Sequence, residues 1–156
     1  MKQPNIKGIT VRDDVDFGEN VTIVEPVNLY GCKIHDEVFI GPFVEIQKDV
    51  EIGNRTRVQS HTFICELVTI GKDCFIGHGV MFINDSFSEG GPARGKKSLW
   101  KSTKIGNQVS IGSNATILPV QICDDVVIGA GAVVTKSITK PGIYAGNPAV
   151  KIKDLK

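Results

Sequence analysis

The side chains in this chain best suited to chemistry are few. Three histidines occur, His35, His61 and His78, and an imidazole can serve as a general base or a metal ligand near neutral pH. Lys48, Glu66 and Asn84 form a second set, and they stand eighteen residues apart. A carboxylate can accept a proton or hold an amine, and a carboxamide can orient one by hydrogen bonding. His61 and His78 stand seventeen apart. Such intervals bring side chains together only if the chain itself repeats at that length.

It does. From Ile34 to Phe82 a large apolar residue falls on every sixth position: Ile34, Ile40, Ile46, Ile52, Val58, Ile64, Ile70, Ile76 and Phe82. Two residues before each sits a smaller one, running from Cys32 and Val38 through Thr56 and Thr62 to Cys74 and Val80. Glycine directly follows Ile40, Ile52, Ile70 and Ile76. A period of two would build one half-buried sheet, and a period near 3.6 would build helices. A period of six fits a short strand and a tight turn, repeated, with one large inward residue per unit. Three units make a triangular coil of eighteen residues, whose equivalent positions stack at the strand spacing of about 4.8 Å. Gly, Asn and Asp between the apolar positions suit corners with unusual backbone angles. The predicted fold is all-β, a parallel β-helix of hexapeptide repeats.

The rhythm is visible at Phe17, Ile23 and Leu29 and slips by one residue near Tyr30-Gly31-Cys32. It stops after Phe82, resumes at Ile105, Ile111 and Ile117, slips again, and continues at Ile122, Ile128 and Val134. Residues 85–102 carry Gly, Pro and mixed charge, the composition of a long external loop. Pro141-Gly142 is expected to end the repeat, leaving 141–156 as a C-terminal segment. On this register Lys48, Glu66 and Asn84 share one edge in successive coils, and the loop opens directly after Asn84. His61 and His78 approach each other at another corner, one position out of step, and His35 belongs elsewhere. Polar residues at corners are also what plain solvation requires.

The chain has 156 residues and a net charge of +1, so a single domain over 1–156 is expected, with no field to recruit nucleic acid. No apolar run is long enough to cross a bilayer, and Met1–Pro4 lacks the apolar core of a secretory leader. The four cysteines form no CxxC pair, and Cys32 and Cys74 fall in the small inward register. A cytoplasmic protein with reduced thiols is expected.

Ile-Gly-x4 units with an inward Val two residues earlier resemble the left-handed parallel β-helix of the hexapeptide-repeat acyltransferases. Within that superfamily, Ile40-Gly41-Pro42-Phe43-Val44-Glu45-Ile46-Gln47, Ser60–Glu66 and Phe75–Asp85 resemble the nucleotide-sugar 3-N-acetyltransferases. The resemblance implies acetyl-CoA as cosubstrate, a UDP- or dTDP-linked amino sugar acetylated at its 3-amino group in surface-glycan biosynthesis, and a homotrimer with sites between adjacent helices. It implies that Asn84 orients the amine and that Glu66 accepts its proton or holds it. His61 and His78 are the candidate bases, as in related O-acetyltransferases, and O-acetylation of a sugar or small molecule is the alternative. Gly112, Ala130 and Gly131, with Ala145, Asn147, Pro148 and Lys151 of the terminal segment, are the implied cofactor-binding residues. Arg94 in the loop is a candidate contact for the nucleotide's diphosphate, and Trp100 a packing anchor. A zinc protein of the γ-class carbonic anhydrase kind is a further alternative. It needs three converging imidazoles, and the register supplies two, so no metal is expected.

Overall fold

The structure is a computed structural model describing residues 8–155, so the leaderless reading of Met1–Pro4 lies outside the described residues. Strands of mostly two residues stack into three sheets of six, eight and six strands. Each hexad supplies one strand: Lys33–Ile34 goes to the first face, Phe39–Ile40 to the second and Glu45–Ile46 to the third. Lys33 pairs with Glu51, Phe39 with Arg57 and Glu45 with Phe63, all in parallel and eighteen residues apart. The hexads therefore form the expected three-sided parallel β-helix, consistent with the left-handed type.

Both slips in the rhythm are seventeen-residue coils. Asp16 pairs with Lys33 and Asn28 with Glu45, while Lys104 pairs with Gln121 and Thr116 with Val133. Where the loop is inserted, Thr69 pairs with Lys104, thirty-five residues on. The helix thus absorbs the insertion without losing register.

The inward residues are fully enclosed, with Ile40, Ile52, Val58, Ile64, Ile76 and Phe82 all buried. Each such side chain stabilises the fold by about 1.5–3 kcal/mol relative to exposure. Thr56 and Thr62 are buried too, which is tolerable because each hydroxyl donates to a corner carbonyl, that of Gly71 at 2.8 Å and that of Gly77 at 2.9 Å.

The corner glycines serve a different purpose from the one the sequence implied. The left-handed backbone position lies two residues after them: Phe43, Arg55, Asp73 and Asn114 fill it with φ between 58° and 60°, and glycine fills it only after Gly77 and Gly129, at Gly79 and Gly131. Gly53 keeps an ordinary φ, but a Cβ there would stand 2.6 Å from the carbonyl carbon of Gly71 in the next coil. The repeat's glycines let successive corners touch.

Pro141-Gly142 does not end the helix. Gly142–Ala145 adds one more parallel strand to the second face, against Val126–Ile128. The chain then turns, and Val150–Lys153 runs back antiparallel to it, so a hairpin caps the last coil.

Candidate active site

The three faces differ in what they show to solvent. The first presents Asp16, Lys33, Glu51, Thr69, Lys104 and Gln121, a charged and polar ladder. The second carries Phe39, Arg57 and Phe75 in register, with the Arg57 guanidinium 4.3 Å from the Phe39 ring centre. The third carries Asn28, Glu45, Phe63, Met81, Thr116 and Val133. The residues with chemical potential sit on the two edges that bound this third face.

On the edge leading from the third face to the first, the predicted column forms. The Asn84 Nδ2 donates to the Glu66 carbonyl oxygen at 3.2 Å. That bond orients the carboxamide, and among the described residues its Oδ1 accepts no hydrogen bond. The Glu66 carboxylate receives the Lys97 ammonium at 2.5 Å, and its side chain is only 15% exposed. Lys48 does not join the group and stays exposed. Its neighbour Gln47 does: the Oε1 accepts from the Glu66 backbone N–H at 3.3 Å, and the Nε2 donates to Glu45 at 2.9 Å. Tyr30 lies close by. Burial, then the Glu45 and Glu66 charges, push its phenol above the usual 10. A depression of about 240 Å³ opens here, walled by Gln47, Phe63, Asn84, Asp85, Phe87 and Trp100. Cys65 also lines the depression but is buried, and burial raises its thiol to about 12.

The loop is tied down at this edge. The Lys101 N–H donates to the Asn84 carbonyl at 2.9 Å, closing the base. The Asp85 carboxylate accepts from the backbone N–H of Phe87 at 2.9 Å and of Ala93 at 2.6 Å, which folds the near arm around buried Ala93. A single 3-10 turn, Lys97–Leu99, presents Lys97 to Glu66, with the ammonium 5.4 Å from the Trp100 ring centre. Trp100 is therefore part of the depression's wall. Arg94 stands at the exposed tip and makes no ion pair among the described residues.

The other edge, from the second face to the third, gathers the remaining candidates. His61 and His78 lie at successive corners, both exposed, and among the described residues neither imidazole hydrogen-bonds to another side chain. His61 instead stacks on Phe43 of the preceding coil, ring centres 4.8 Å apart. Gly112, Ala130 and Gly131 continue the same edge, and Ala145 follows, its Cβ 2.7 Å from where a Cβ on Gly129 would lie. Gly112 is small for the sake of the coil, because a Cβ there would meet the Ala130 nitrogen at 2.4 Å. Gly131 is different. It has φ +67° and open space around a Cβ. Asn147 and Pro148 form the turn of the capping hairpin, and Lys151 on its return strand donates to Asp154 at 2.5 Å.

The strand Phe63–Ile64 of the third face lies between His61 on one edge and Glu66 on the other. Among the described residues no hydrogen bond or ion pair links either histidine to Glu66 or Asn84, so within one chain the histidines and the Glu66–Asn84 pair belong to different edges. His35 is on a third edge, paired with Glu51 at 2.6 Å. Among the described residues no group of three or more His, Cys, Asp or Glu could hold a metal ion.

Residues 31–66 match the bacterial transferase hexapeptide (six repeats) family, and residues 67–82 and 102–136 match the hexapeptide repeat of succinyl-transferase. This chain belongs to the hexapeptide-repeat transferases. It is 30% identical over 145 residues to UDP-3-O-acylglucosamine N-acyltransferase of Bordetella avium, an alignment covering 93% of this chain and 30% of that protein. The chain spans about a third of the length of the curated relatives it matches first. Among solved structures of the family, galactoside acetyltransferase in complex with coenzyme A is 28% identical, with a TM-score of 0.65 over 92% of this chain and 66% of that one. Perosamine N-acetyltransferase of Caulobacter crescentus, in complex with CoA and GDP-perosamine, shares the fold at 19% identity and a TM-score of 0.62, over 92% of this chain and 56% of that one.

Proposed function

We propose that this hexapeptide-repeat transferase is an acetyl-CoA-dependent N-acetyltransferase, with the 3-amino group of a UDP- or dTDP-linked sugar as acceptor. The observation that carries the reading is the orientation of Asn84. With Nδ2 held by the Glu66 backbone carbonyl, Oδ1 can accept an N–H from an amine, and the same Glu66 carries a carboxylate that already binds a primary ammonium, that of Lys97. A neutral amine is a strong nucleophile, so the protein need only orient it, accept its proton and exclude water. Asn84 does the first and Glu66 the second, while Phe63, Phe87 and Trp100 supply an apolar wall. Acetyl-CoA supplies the acyl thioester, whose carbon–sulfur bond breaks as the amide forms. On the edge of small residues running past Ala130 and Gly131 to Ala145, the open space beside Gly131 suits the approach of a pantetheine arm. Relatives named for acyl transfer to amino sugars support the acceptor class.

The separation of the two edges favours a homotrimer. The amine-holding edge and the small-residue edge lie on opposite sides of one face, and an adjacent copy can set its small-residue edge against this chain's Glu66 and Asn84. O-acetylation is the second reading, favoured by the exposed imidazoles of His61 and His78 and by the likeness to galactoside acetyltransferase. Thiol release from acetyl-CoA against a panel of UDP- and dTDP-3-amino sugars, with product treated with hydroxylamine, separates the two. An amide survives that treatment and an ester does not. Turnover only with hydroxyl acceptors would overturn the N-acetyl reading.

A further inference from the structure

Lys97 is the one loop side chain that reaches the Glu66 carboxylate, and it does so as an ammonium at 2.5 Å. The two partners are unequal: Glu66 is 15% exposed, whereas Lys97 is 58% exposed. The carboxylate belongs to the rigid wall, and the ammonium arrives from outside on a single turn of the loop. A protonated amino sugar presents the same group, a primary ammonium, to the same oxygens. Asn84 is hydrogen-bonded to the backbone of the same Glu66, and among the described residues its Oδ1 accepts no hydrogen bond. Resting on the acceptor reading above, we infer that Lys97 is a positioning residue that fills the acceptor subsite in the ligand-free protein, and that the incoming amine displaces it.

The exchange has two consequences. The carboxylate never faces solvent alone, because one ammonium replaces another and the desolvated charge stays paired. Acceptor affinity is also lowered by the fraction of molecules in which Lys97 occupies the site. An ion pair with one exposed partner is worth up to about 1 kcal/mol, so its removal should tighten the acceptor about two- to fivefold. Acceptors lacking an amine cannot replace the ammonium and gain nothing from its removal.

Lys97→Met removes the charge and retains the length, and Lys97→Arg retains the charge. Steady-state kinetics with the dTDP- or UDP-linked 3-amino sugar that serves as substrate should show a two- to fivefold lower KM for the sugar in Lys97→Met. The kcat and the KM for acetyl-CoA should be unchanged, and Lys97→Arg should resemble the parent. The only tryptophan, Trp100, lies 5.4 Å from the ammonium. Titration of the parent with that sugar should therefore change its emission, and this change should be reduced in Lys97→Met. A KM that rises or stays constant in Lys97→Met, with thermal stability retained, overturns the exchange. Absence of turnover with every amino sugar would instead overturn the acceptor reading, leaving the Lys97–Glu66 pair as a tether of the loop.

Discussion

Gly53→Ala and Gly131→Ala test what the corner glycines are for. At Gly53 the backbone angle is ordinary, but a Cβ would lie 2.6 Å from the Gly71 carbonyl carbon and 2.8 Å from both its oxygen and the Lys72 nitrogen. Ordinary carbon contacts begin near 3.5 Å, so the two coils would have to part by roughly 0.9 Å. Each atom in the way is backbone and cannot rotate aside, which puts the cost near the upper part of the ~1–3 kcal/mol range for overpacking. At Gly131 the order is reversed: φ is +67° and nothing lies within 4 Å of a Cβ. The left-handed penalty of about 1–2 kcal/mol is partly offset by ~0.4–1 kcal/mol of lost unfolded-state freedom, leaving on the order of 1 kcal/mol. Urea unfolding followed by far-ultraviolet circular dichroism, at one protein concentration, reads both. With a urea dependence of about 1–3 kcal/mol per molar, Gly53→Ala should lower the midpoint by about 1 M and Gly131→Ala by a few tenths. A larger loss at Gly131 than at Gly53 would refute the packing argument.

Burial holds the thiols of Cys32 and Cys65 at about 11 and about 12, so iodoacetamide at pH 8 should leave both unmodified in the native protein and alkylate both in urea, as read by intact mass. The Arg55 guanidinium donates to Asp73 at 2.6 and 2.9 Å and holds that carboxyl below its ordinary 3.8. A depressed carboxyl adds stability above the unfolded value, and that stability is lost as pH falls through the folded one. Arg55→Met should therefore melt below the parent at pH 6, and the gap should close as pH falls below 3.8. A gap that persists unchanged at pH 2 would contradict the assignment.

Most of the fold was legible because one inward residue per hexad states the register directly. Ile34, Ile40 and Ile46 name three faces in turn, and each one-residue slip marks a seventeen-residue coil. The same register put Glu66 and Asn84 together and set His61 apart from them. It could not choose Gln47 over Lys48, because neighbouring corner residues differ only in which way they point. It could not find Lys97, since a loop without period carries no register. It misread Gly142, because a strand sixteen residues after its predecessor looks like the end of the pattern. The role of the corner glycines was hidden for a related reason: contact with the next coil is a property of two corners, and one hexad does not show it.

The central claim is that the edge formed by Glu66 and Asn84 takes the acceptor amine. Its most direct test is kcat/KM for a nucleotide-linked 3-amino sugar in Asn84→Ala, with circular dichroism confirming the fold. Loss of one oriented hydrogen bond, about 1.5–3 kcal/mol where a charged group takes part, predicts a fall of about 10- to 150-fold for the amine acceptor. Activity equal to the parent's in a folded Asn84→Ala protein would contradict the account.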